Sequence, residues 1–426
     1  MRVLLVHNRY RQRGGEDAVF EAELDLLRAA GHEVSTYVAH NDEVSDSGRV
    51  GLLVDTIWNR ERAREIRQTV RDRQIDVAHF HNTLPLISPA AYAAARSEGA
   101  AVVQTLHNYR LACPSALLFR DGAVCEKCLG KSIAWPAIRH ACYRGSRPAS
   151  AAVAAMLFVH RLRGTYRSDV DAYITLTEFA RQKMSEASVP RERSHVVPNF
   201  LADDPSPGDF EARDGVLFVG RLNPEKGVRT LLEAFSDPSS DGPKLTIAGD
   251  GPLRDAVAQA ASENPRIEWL GAVEREGVLG AMARASMLVF PSTWYEGFPM
   301  TIVEAFASGL PVVASEIGSL SSIVDDEVGA TVMPGDAEAL REAVLRLSGD
   351  EALRRELGET ARSRFETEFS ASAHLNGIES VYRTAIAHRN GESVEGLAAP
   401  QGLQPESMPA DEAESEEPSS VSRNSR

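Results

Sequence analysis

Short apolar runs alternate along the chain with longer segments in which apolar residues recur every three or four positions. In the first half, the runs RVLLV, EVSTYV, IDVAHF and AAVVQTL alternate with helical patterns near residues 16–30 and 60–73. Continuous apolar runs are typical of strands covered on both faces, and amphipathic helices between them predict a parallel sheet. With the runs DAYITL and SHVVP, this predicts a first Rossmann-like domain over residues 1–200.

A polar, proline-containing segment without periodicity, residues 201–213, predicts a linker. The alternation then begins again with GVLFVG, KLTIAG, RIEWLG, SMLVFP and PVVAS, which predicts a second domain over residues 214–365 and a final helix within 366–389. The predicted fold is therefore α/β, with two Rossmann-like, doubly wound domains facing each other across a cleft. In such sheets, ligands bind beyond the carboxyl ends of the strands.

Composition narrows the class of protein. The chain has 46 Lys and Arg against 61 Asp and Glu, a net charge of −15, so we expect no nucleic-acid partner. Residues 390–426 contain eight acidic and two basic residues and no aromatic residue, which predicts a disordered acidic tail. No apolar run reaches the roughly 18–20 residues of a membrane span and no signal peptide is evident, so we expect a cytoplasmic protein.

The most informative stretch of the second domain is YEGFPMTIVEAFASGLPVVAS. Pro299 suits the first position of a helix, and the loop before it leads into a helix N-terminus, which attracts anions. Glu296 and Glu304 would flank that anion site, and carboxylates are suited to accepting hydrogen bonds from sugar hydroxyls. The alternative is that Glu296 caps the helix and Glu304 is merely solvated.

Two further loops follow strands of the second domain. VGRLNPEKG brings Arg221 and Lys226 to one loop, a pair suited to a diphosphate, although an isolated pair of cations is more often simply solvated. AGDGP places Gly251 in a second glycine-rich turn, which by itself is also consistent with an ordinary tight turn.

Together, VGRLNPEKG, IAGDGP and EGFPMTIVEAFASGLPVVAS resemble the retaining GT-B glycosyltransferases of family 4, or group 1, over residues 215 to about 334. The resemblance implies that Glu296 contacts donor-sugar hydroxyls, Glu304 contacts the ribose, and Arg221 and Lys226 neutralise the donor diphosphate. It also implies catalysis without a metal and a last helix that returns to the first domain. Backbone N–H groups around Phe298 to Thr301 are expected to assist, and the residues expected to bind the substrate here are Gly297, Phe298, Pro299, Met300 and Thr301. Many members have EGFG where this chain has EGFP, so the donor sugar stays open.

In the first domain, Gly14 and Gly15 follow the first strand, but the G-x-G-x-x-G fingerprint of dinucleotide-binding proteins is absent. The resemblance places this glycine-rich loop beside the donor phosphate and the acceptor. It likewise favours His107, at the end of AAVVQTL, as a contact of the donor sugar, with His79 and His81 as weaker candidates. A purely structural role is the alternative for each histidine.

All four cysteines lie in an insertion over residues 107–147, as Cys113, Cys125, Cys128 and Cys142. A C-x-x-C pair with two outer cysteines has the spacing of a structural zinc site. Buried or partly paired thiols are the alternative, and we expect catalysis to require no cofactor.

Residues 107–147 also carry seven Lys and Arg against two acidic residues, and the helical pattern over 60–73 is basic. With the apolar stretch ASAAVAAMLFVHRL, these residues suggest peripheral contact with an anionic membrane on its inner face. A solvated basic face and a buried helix are the alternatives.

These observations predict a retaining glycosyltransferase that moves a sugar from a UDP- or GDP-sugar to a glycan or lipid-linked acceptor, in polysaccharide or glycoconjugate synthesis. Rival enzymes are a nucleotide-sugar epimerase or a phosphorylase of the same fold. A catalytically silent sugar-nucleotide-binding protein is the rival outside enzymes, and the missing fingerprint disfavours an NAD-dependent dehydrogenase.

Overall fold

A computed structural model describes residues 1–45, 49–237 and 242–392. Two six-stranded parallel sheets organise these residues. Of the predicted acidic tail, residues 393–426 lie outside the described residues, and Asn390 is the last residue of a helix.

The first sheet and its helices occupy the N-terminal half. In chain order the elements are β1 (Arg2–Arg9), α1 (Gly15–Ala29), β2 (Glu33–His40), α2 (Arg49–Trp58), α3 (Arg60–Arg73), β3 (Val77–Phe80), α4 (Ala90–Ser97), β4 (Ala101–Leu106), β5 (Phe119–Arg120), β6 (Ala123–Val124), α5 (Trp135–Arg139), α6 (Arg147–Leu162), α7 (Thr165–Ser168), β7 (Ala172–Thr175), α8 (Glu178–Glu186) and β8 (Ser194–Val196). The sheet order is β2-β1-β3-β4-β7-β8, while β5 and β6 form a separate short hairpin.

The second sheet begins after the 201–213 segment. Its elements are β9 (Val216–Val219), α9 (Val228–Ala234), β10 (Leu245–Ala248), α10 (Arg254–Glu263), β11 (Ile267–Gly271), α11 (Arg275–Arg284), β12 (Met287–Phe290), α12 (Met300–Ala307), β13 (Val312–Ser315), β14 (Gly329–Val332), α13 (Ala337–Gly349), α14 (Glu351–Arg364) and α15 (Ala371–Asn390). The sheet order is β11-β10-β9-β12-β13-β14.

Helix α15 does not pack on the sheet that precedes it. Its Ile378, Val381 and Tyr382 are at most 1% exposed and join a buried cluster with Val3 and Leu5 of β1. The chain therefore returns to the first sheet, and burial of these apolar side chains stabilises the return.

The strand order places two loops at the centre of the second sheet. The order of the strands along the sheet reverses between β9 and β12, so the loops that follow these strands diverge and leave a crevice. The same reversal in the first sheet falls between β1 and β3. Within the described residues, no helix combines the length and the apolar character needed to cross a bilayer.

Candidate functional site

The loops after β9 and β12 meet through an ion pair. Lys226 Nζ lies 2.8 Å from Glu296 Oε1 and 3.0 Å from Glu296 Oε2. Gly227 makes this approach possible: its φ is +72°, and a Cβ there would lie 1.7 Å from the carbonyl oxygen of Pro291. Glycine is thus required next to Lys226 for the two loops to come together.

Glu296 is buried, at 5% exposure, and its carboxylate is almost fully engaged. Oε1 accepts hydrogen bonds from Ser292 Oγ at 2.6 Å and Trp294 Nε1 at 2.7 Å in addition to Lys226. Oε2 accepts only from Lys226 among the described residues. Because a carboxylate oxygen can accept two hydrogen bonds, Oε2 is the atom with capacity for another donor. The carboxylate therefore does not cap the following helix.

Glu304 lies on α12, the helix that follows this loop. Its side chain is largely buried, and burial raises the pKa of Glu304, while Arg275 opposes the rise. Arg275 Nε lies 3.6 Å from Glu304 Oε1. Because this carboxylate is already largely removed from water, it can accept hydrogen bonds from a ligand at little further desolvation cost.

The prediction that Pro299 takes the first helical position is wrong by one residue. Pro299 is the N-cap, and α12 begins at Met300, so the N–H groups of Met300 and Thr301 lie in its first turn. Phe298 packs beside the core of the second domain, 6.0 Å from Phe369 between ring centroids. A Cβ at Gly297 would lie 2.9 Å from the carbonyl oxygen of His107, so this loop touches the first domain directly.

The other two candidate residues of the second domain lie on loops that pack together. A Cβ at Gly251 would lie 2.8 Å from the backbone nitrogen of Leu222, so its loop presses against the one that carries Arg221. The Arg221 side chain is exposed and makes no ion pair within the described residues. It is therefore the cation that remains available to an anionic ligand.

His107 stands at the end of β4, opposite Gly297, in front of a buried chain of hydrogen bonds. His107 Nε2 lies 2.9 Å from His81 Nδ1, and His81 Nε2 lies 3.2 Å from Glu23 Oε1. Burial alone would raise the pKa of Glu23, but His81, His79 and His374 around it hold that pKa well below its ordinary value. Burial also lowers the pKa of His81 and lowers the pKa of His107 well below the ordinary value. This chain of hydrogen bonds therefore runs from the Glu23 carboxylate through the neutral imidazole of His81 to the neutral imidazole of His107.

This chain fixes which nitrogen of His107 carries the proton. The Glu23 carboxylate can only accept, so neutral His81 donates through Nε2 and keeps Nδ1 bare. His107 Nε2 must then donate to His81 Nδ1, which leaves His107 Nδ1 without a proton. Since Nδ1 makes no hydrogen bond within the described residues, it is free to accept one from a ligand hydroxyl.

His79 and His81 do not face a ligand themselves. His79 is fully buried, with Nδ1 3.0 Å from Glu23 Oε1 and 2.9 Å from the Tyr382 hydroxyl of α15, and His81 is 3% exposed. The expectation that either one contacts the sugar is wrong, because α15 and α1 cover this face of β3. Glu23, His79 and His81 place their ligand-type atoms within 4.8 Å of one another. The two imidazoles lie at hydrogen-bond distance from the carboxylate, with His79 Nδ1 3.0 Å and His81 Nε2 3.2 Å from Glu23 Oε1.

Gly14 and Gly15 form the N-terminus of α1. The Gly14 N–H donates to Asp17 Oδ2 at 2.8 Å, and Asp17 Oδ1 lies 2.8 Å from His7 Nε2. A Cβ at Gly15 would meet no atom within 4 Å, so space is open beside the loop. Glu16 follows, and it accepts hydrogen bonds from the Tyr10 hydroxyl and from Asn108, the residue after His107.

Hydroxyl groups join the two domains at this site. The Tyr109 hydroxyl donates to the carbonyl oxygen of Glu296 at 3.1 Å and lies 3.3 Å from Ser319 Oγ. Thr177 Oγ1 lies 3.1 Å from the same Ser319 oxygen. Within the described residues, no salt bridge joins residues 1–200 to residues 214–365.

The four cysteines of the insertion lie beside the site without entering it. All four cysteines line one cavity, and none forms a disulfide. Burial raises the pKa of Cys128 to about 11 and also raises the pKa of Cys142. A thiol whose pKa is raised in this way is a poor nucleophile.

Several residues of the site gave no signal in the sequence. Ser292 and Trp294 hold Glu296 from within its own loop, and Arg275 reaches Glu304 from α11. Glu23 lies in the middle of α1, where an acidic residue usually faces solvent. Its position among three histidines depends on strands and a helix distant in the sequence.

The arrangement of two doubly wound domains is that of GT-B glycosyltransferases. A crystal structure of Anabaena HepE in complex with UDP matches with a TM-score of 0.62 at 16% identity, covering 90% of this chain and 100% of that one. Residues 14–199 match the family described as glycosyl transferase 4-like domain, and residues 202–364 match glycosyl transferases group 1. The chain belongs to the group 1 glycosyltransferases.

Two curated relatives match parts of this chain. The exopolysaccharide phosphotransferase SCO2592 of Streptomyces coelicolor is 34% identical over 52% of this chain and 24% of its own length. The alpha-D-kanosaminyltransferase of Streptomyces kanamyceticus is 29% identical over 50% of this chain and 60% of its own length. The chain thus spans 24% and 60% of the lengths of these two relatives.

We expect 15N NMR of the histidine-labelled protein to show a pyridine-type Nδ1 and a pyrrole-type Nε2 for His107. The His81→Phe variant keeps a ring but removes the acceptor, so both tautomers of His107 should become populated. Glu23→Gln offers His81 an amide donor as well as a carbonyl acceptor, so it should weaken the preference of His107 for the wild-type tautomer while both imidazole rings remain. A protonated Nδ1 in the wild-type protein would contradict the hydrogen-bond chain.

We expect the free energy of unfolding to fall as the pH drops from about 7 to about 5.5. Burial lowers the pKa of His7, His81 and His107, so these rings stay neutral in the folded chain while the unfolded chain takes up their protons near 6.5. Each such histidine adds at most about 1.4 kcal/mol per pH unit to the slope. Urea denaturation at a series of pH values measures this slope, and an unfolding free energy that does not change over this range would be the contrary result.

Proposed function

We propose that this protein is a retaining glycosyltransferase that transfers a sugar from a UDP- or GDP-sugar to a glycan or lipid-linked acceptor. The observation that carries the proposal is the convergence of Lys226, Glu296 and the N-terminus of α12 at the crevice of the second sheet, opposite His107. Membership of the group 1 family and a structural match to a UDP-bound protein support it. The reaction belongs to polysaccharide or glycoconjugate synthesis.

The donor diphosphate lies between Arg221, Lys226 and the first turn of α12. As the bond to the sugar breaks, negative charge develops on the leaving diphosphate, and fixed cations and backbone N–H groups stabilise that charge. The Lys226 ammonium is already held by Glu296, so it needs no reorganisation during the reaction. This electrostatic arrangement can carry the reaction without a catalytic metal ion.

The sugar lies between Glu296 and His107. Glu296 Oε2 and His107 Nδ1 are the acceptors with remaining capacity, and each takes a hydrogen bond from a sugar hydroxyl. Glu304 accepts from the ribose. The open space beside Gly15 admits the acceptor, which attacks from the side of the leaving group and gives its proton to the donor phosphate.

Exposed apolar residues on the first domain also indicate contact with a membrane. Ile133, Trp135 and Leu162 are 47%, 53% and 77% exposed, and we call these three residues the apolar patch. The Arg161 side chain donates to the Lys131 carbonyl at 2.8 Å, which brings the end of α6 next to the segment that carries Ile133 and Trp135. Exposed Lys127, Lys131 and Arg139 lie in the same insertion. We infer peripheral contact with an anionic inner membrane surface.

The apolar stretch of the predicted membrane face, unlike the exposed basic residues of α3, is packed inside the protein. Most of α6 is buried, including Met156 and Leu157, and Trp58 stacks on His160 with ring centroids 5.3 Å apart. The membrane proposal is therefore confined to the apolar patch and its basic neighbours.

UDP or GDP should raise the melting temperature, whereas ADP and NAD should not, because a ligand that binds only the folded chain stabilises it.

Glu304→Ala removes hydrogen bonds of a charged acceptor, so nucleotide affinity should fall roughly tenfold to a hundredfold. Isothermal titration calorimetry measures the affinity, and Glu356→Ala, at an exposed site on α14, is the matched control. Stabilisation by NAD alone, or equal affinity of the Glu304 variant, would refute the donor site.

The protein should co-sediment with liposomes containing phosphatidylglycerol, and high salt should weaken the binding. Replacing Ile133, Trp135 and Leu162 together by Ser should reduce binding at least tenfold, since apolar burial and charge act jointly. The matched control replaces the exposed Met333 and Leu345 of the second domain by Ser. Binding that is absent at low salt, or unchanged in the patch variant, argues against the membrane contact.

A further inference from the structure

The insertion between β4 and α6 gathers its four cysteines around one cavity outside the donor site. Cys113 and Cys128 are 8% and 6% exposed, and Cys125 and Cys142 are half-buried. The thiols come from points separated by up to 29 residues of chain, and only the fold brings them together. Arg120, Lys127 and His140 line the same cavity.

The backbone of the insertion adopts unfavourable conformations. Among the described residues, eight non-glycine residues have positive φ, and five of them lie between positions 107 and 147. They are Ala116 (+68°), Leu118 (+47°), Asp121 (+54°), Ala141 (+52°) and Arg144 (+54°). Residues with a Cβ adopt this region only where their surroundings hold them in it.

Apolar packing offers little to hold the second half of the insertion. Residues 107–118 contribute Tyr109, Leu111 and Leu118 to the core of the first domain. The later part packs mainly in a small cluster built around Cys128, Ala134, Ala137 and Ala154 of α6, with Leu129 and Tyr143 partly buried against the core of the first domain. These short side chains bury little apolar area, so this part needs another source of stability.

We propose that Cys113, Cys125, Cys128 and Cys142 bind one structural zinc ion. Four thiolates form a closed tetrahedral site, which is the ligand set and geometry of structural zinc sites. The C-x-x-C pair supplies two neighbouring ligands from one turn, and the outer cysteines close the site from both sides of the insertion.

Zinc binding would draw the sulfur atoms closer together. In a zinc tetrahedron with Zn–S of about 2.3 Å, sulfur atoms are about 3.8 Å apart. In this structure no three of these sulfur atoms lie within 4.8 Å of one another. The segment between the cysteines consists of turns, a two-residue hairpin and the short α5, so its backbone can close around an ion.

The ion would stabilise the part of the insertion that lines the cleft. The Phe119 ring lies 6.1 Å from Trp294, edge to face, and Trp294 donates to Glu296. Glu126, between the two cysteines of C-x-x-C, lies 2.8 Å from Lys183 of α8. The site itself has no open coordination position, so the zinc takes no part in sugar transfer.

Elemental analysis of the full chain, purified without chelators, should find about one zinc per chain. After removal of zinc, titration with Co2+ should produce the visible absorption of tetrahedral cobalt bound to thiolates. Ellman's reagent should react slowly with the four thiols of the zinc form and rapidly once a chelator is present. This set of measurements uses only the wild-type protein, so it does not depend on whether a variant folds.

Cys125→Ser and Cys128→Ser should each lose most of the bound zinc and the cobalt absorption. The matched control is Lys127→Ala, which changes one of the two residues between these cysteines and should retain one zinc per chain. The proposal is overturned if the wild-type chain takes up neither zinc nor cobalt. It is also overturned by disulfides among the four cysteines, or by iron bound in place of zinc.

Discussion

The buried carboxylate of Glu296 is the point through which the parts of the site are held together. Its side chain binds Lys226 from the loop after β9, and its backbone carbonyl accepts from Tyr109 of the first domain. A buried charge must be compensated, so Lys226, Ser292 and Trp294 are constrained to converge on it. The position of the cation that faces the donor follows from this requirement.

A comparable requirement organises the first domain. The Glu23 carboxylate lies among His79, His81 and His374, and the last of these comes from α15, some 350 residues later in the chain. Helix α15 is thus held against the first domain by electrostatic contacts as well as by apolar packing. Through His81, the same carboxylate sets the hydrogen-bonding role of His107 at the cleft.

Much of the fold could be predicted because apolar periodicity is local. The helix expected at residues 60–73 is α3 with the same bounds, and the apolar runs correspond to strands of the two sheets. The start of α12 was missed by one residue, since Pro299 suits both the N-cap and the position after it. Local patterns did not identify the short α2, whose apolar residues merge into the basic segment before α3.

Long-range partners of the site could not be predicted. Glu296 and Glu304 were recognisable from their spacing, but Arg275 meets Glu304 only because α11 packs beside α12. His79 and His81 looked like cleft residues because they lie at the end of β3. The helix that covers them comes from the far end of the chain, and no local pattern reveals it.

The contacts between the domains have a consequence for how the cleft opens. Tyr109, Ser319 and Thr177 meet through neutral hydroxyl groups, and these groups can exchange partners with water at little net cost. Among the residues that the structure describes, separating the domains at this point parts no pair of opposite charges. The balance between open and closed cleft should therefore be nearly independent of ionic strength, even though the ligand that enters it is strongly anionic.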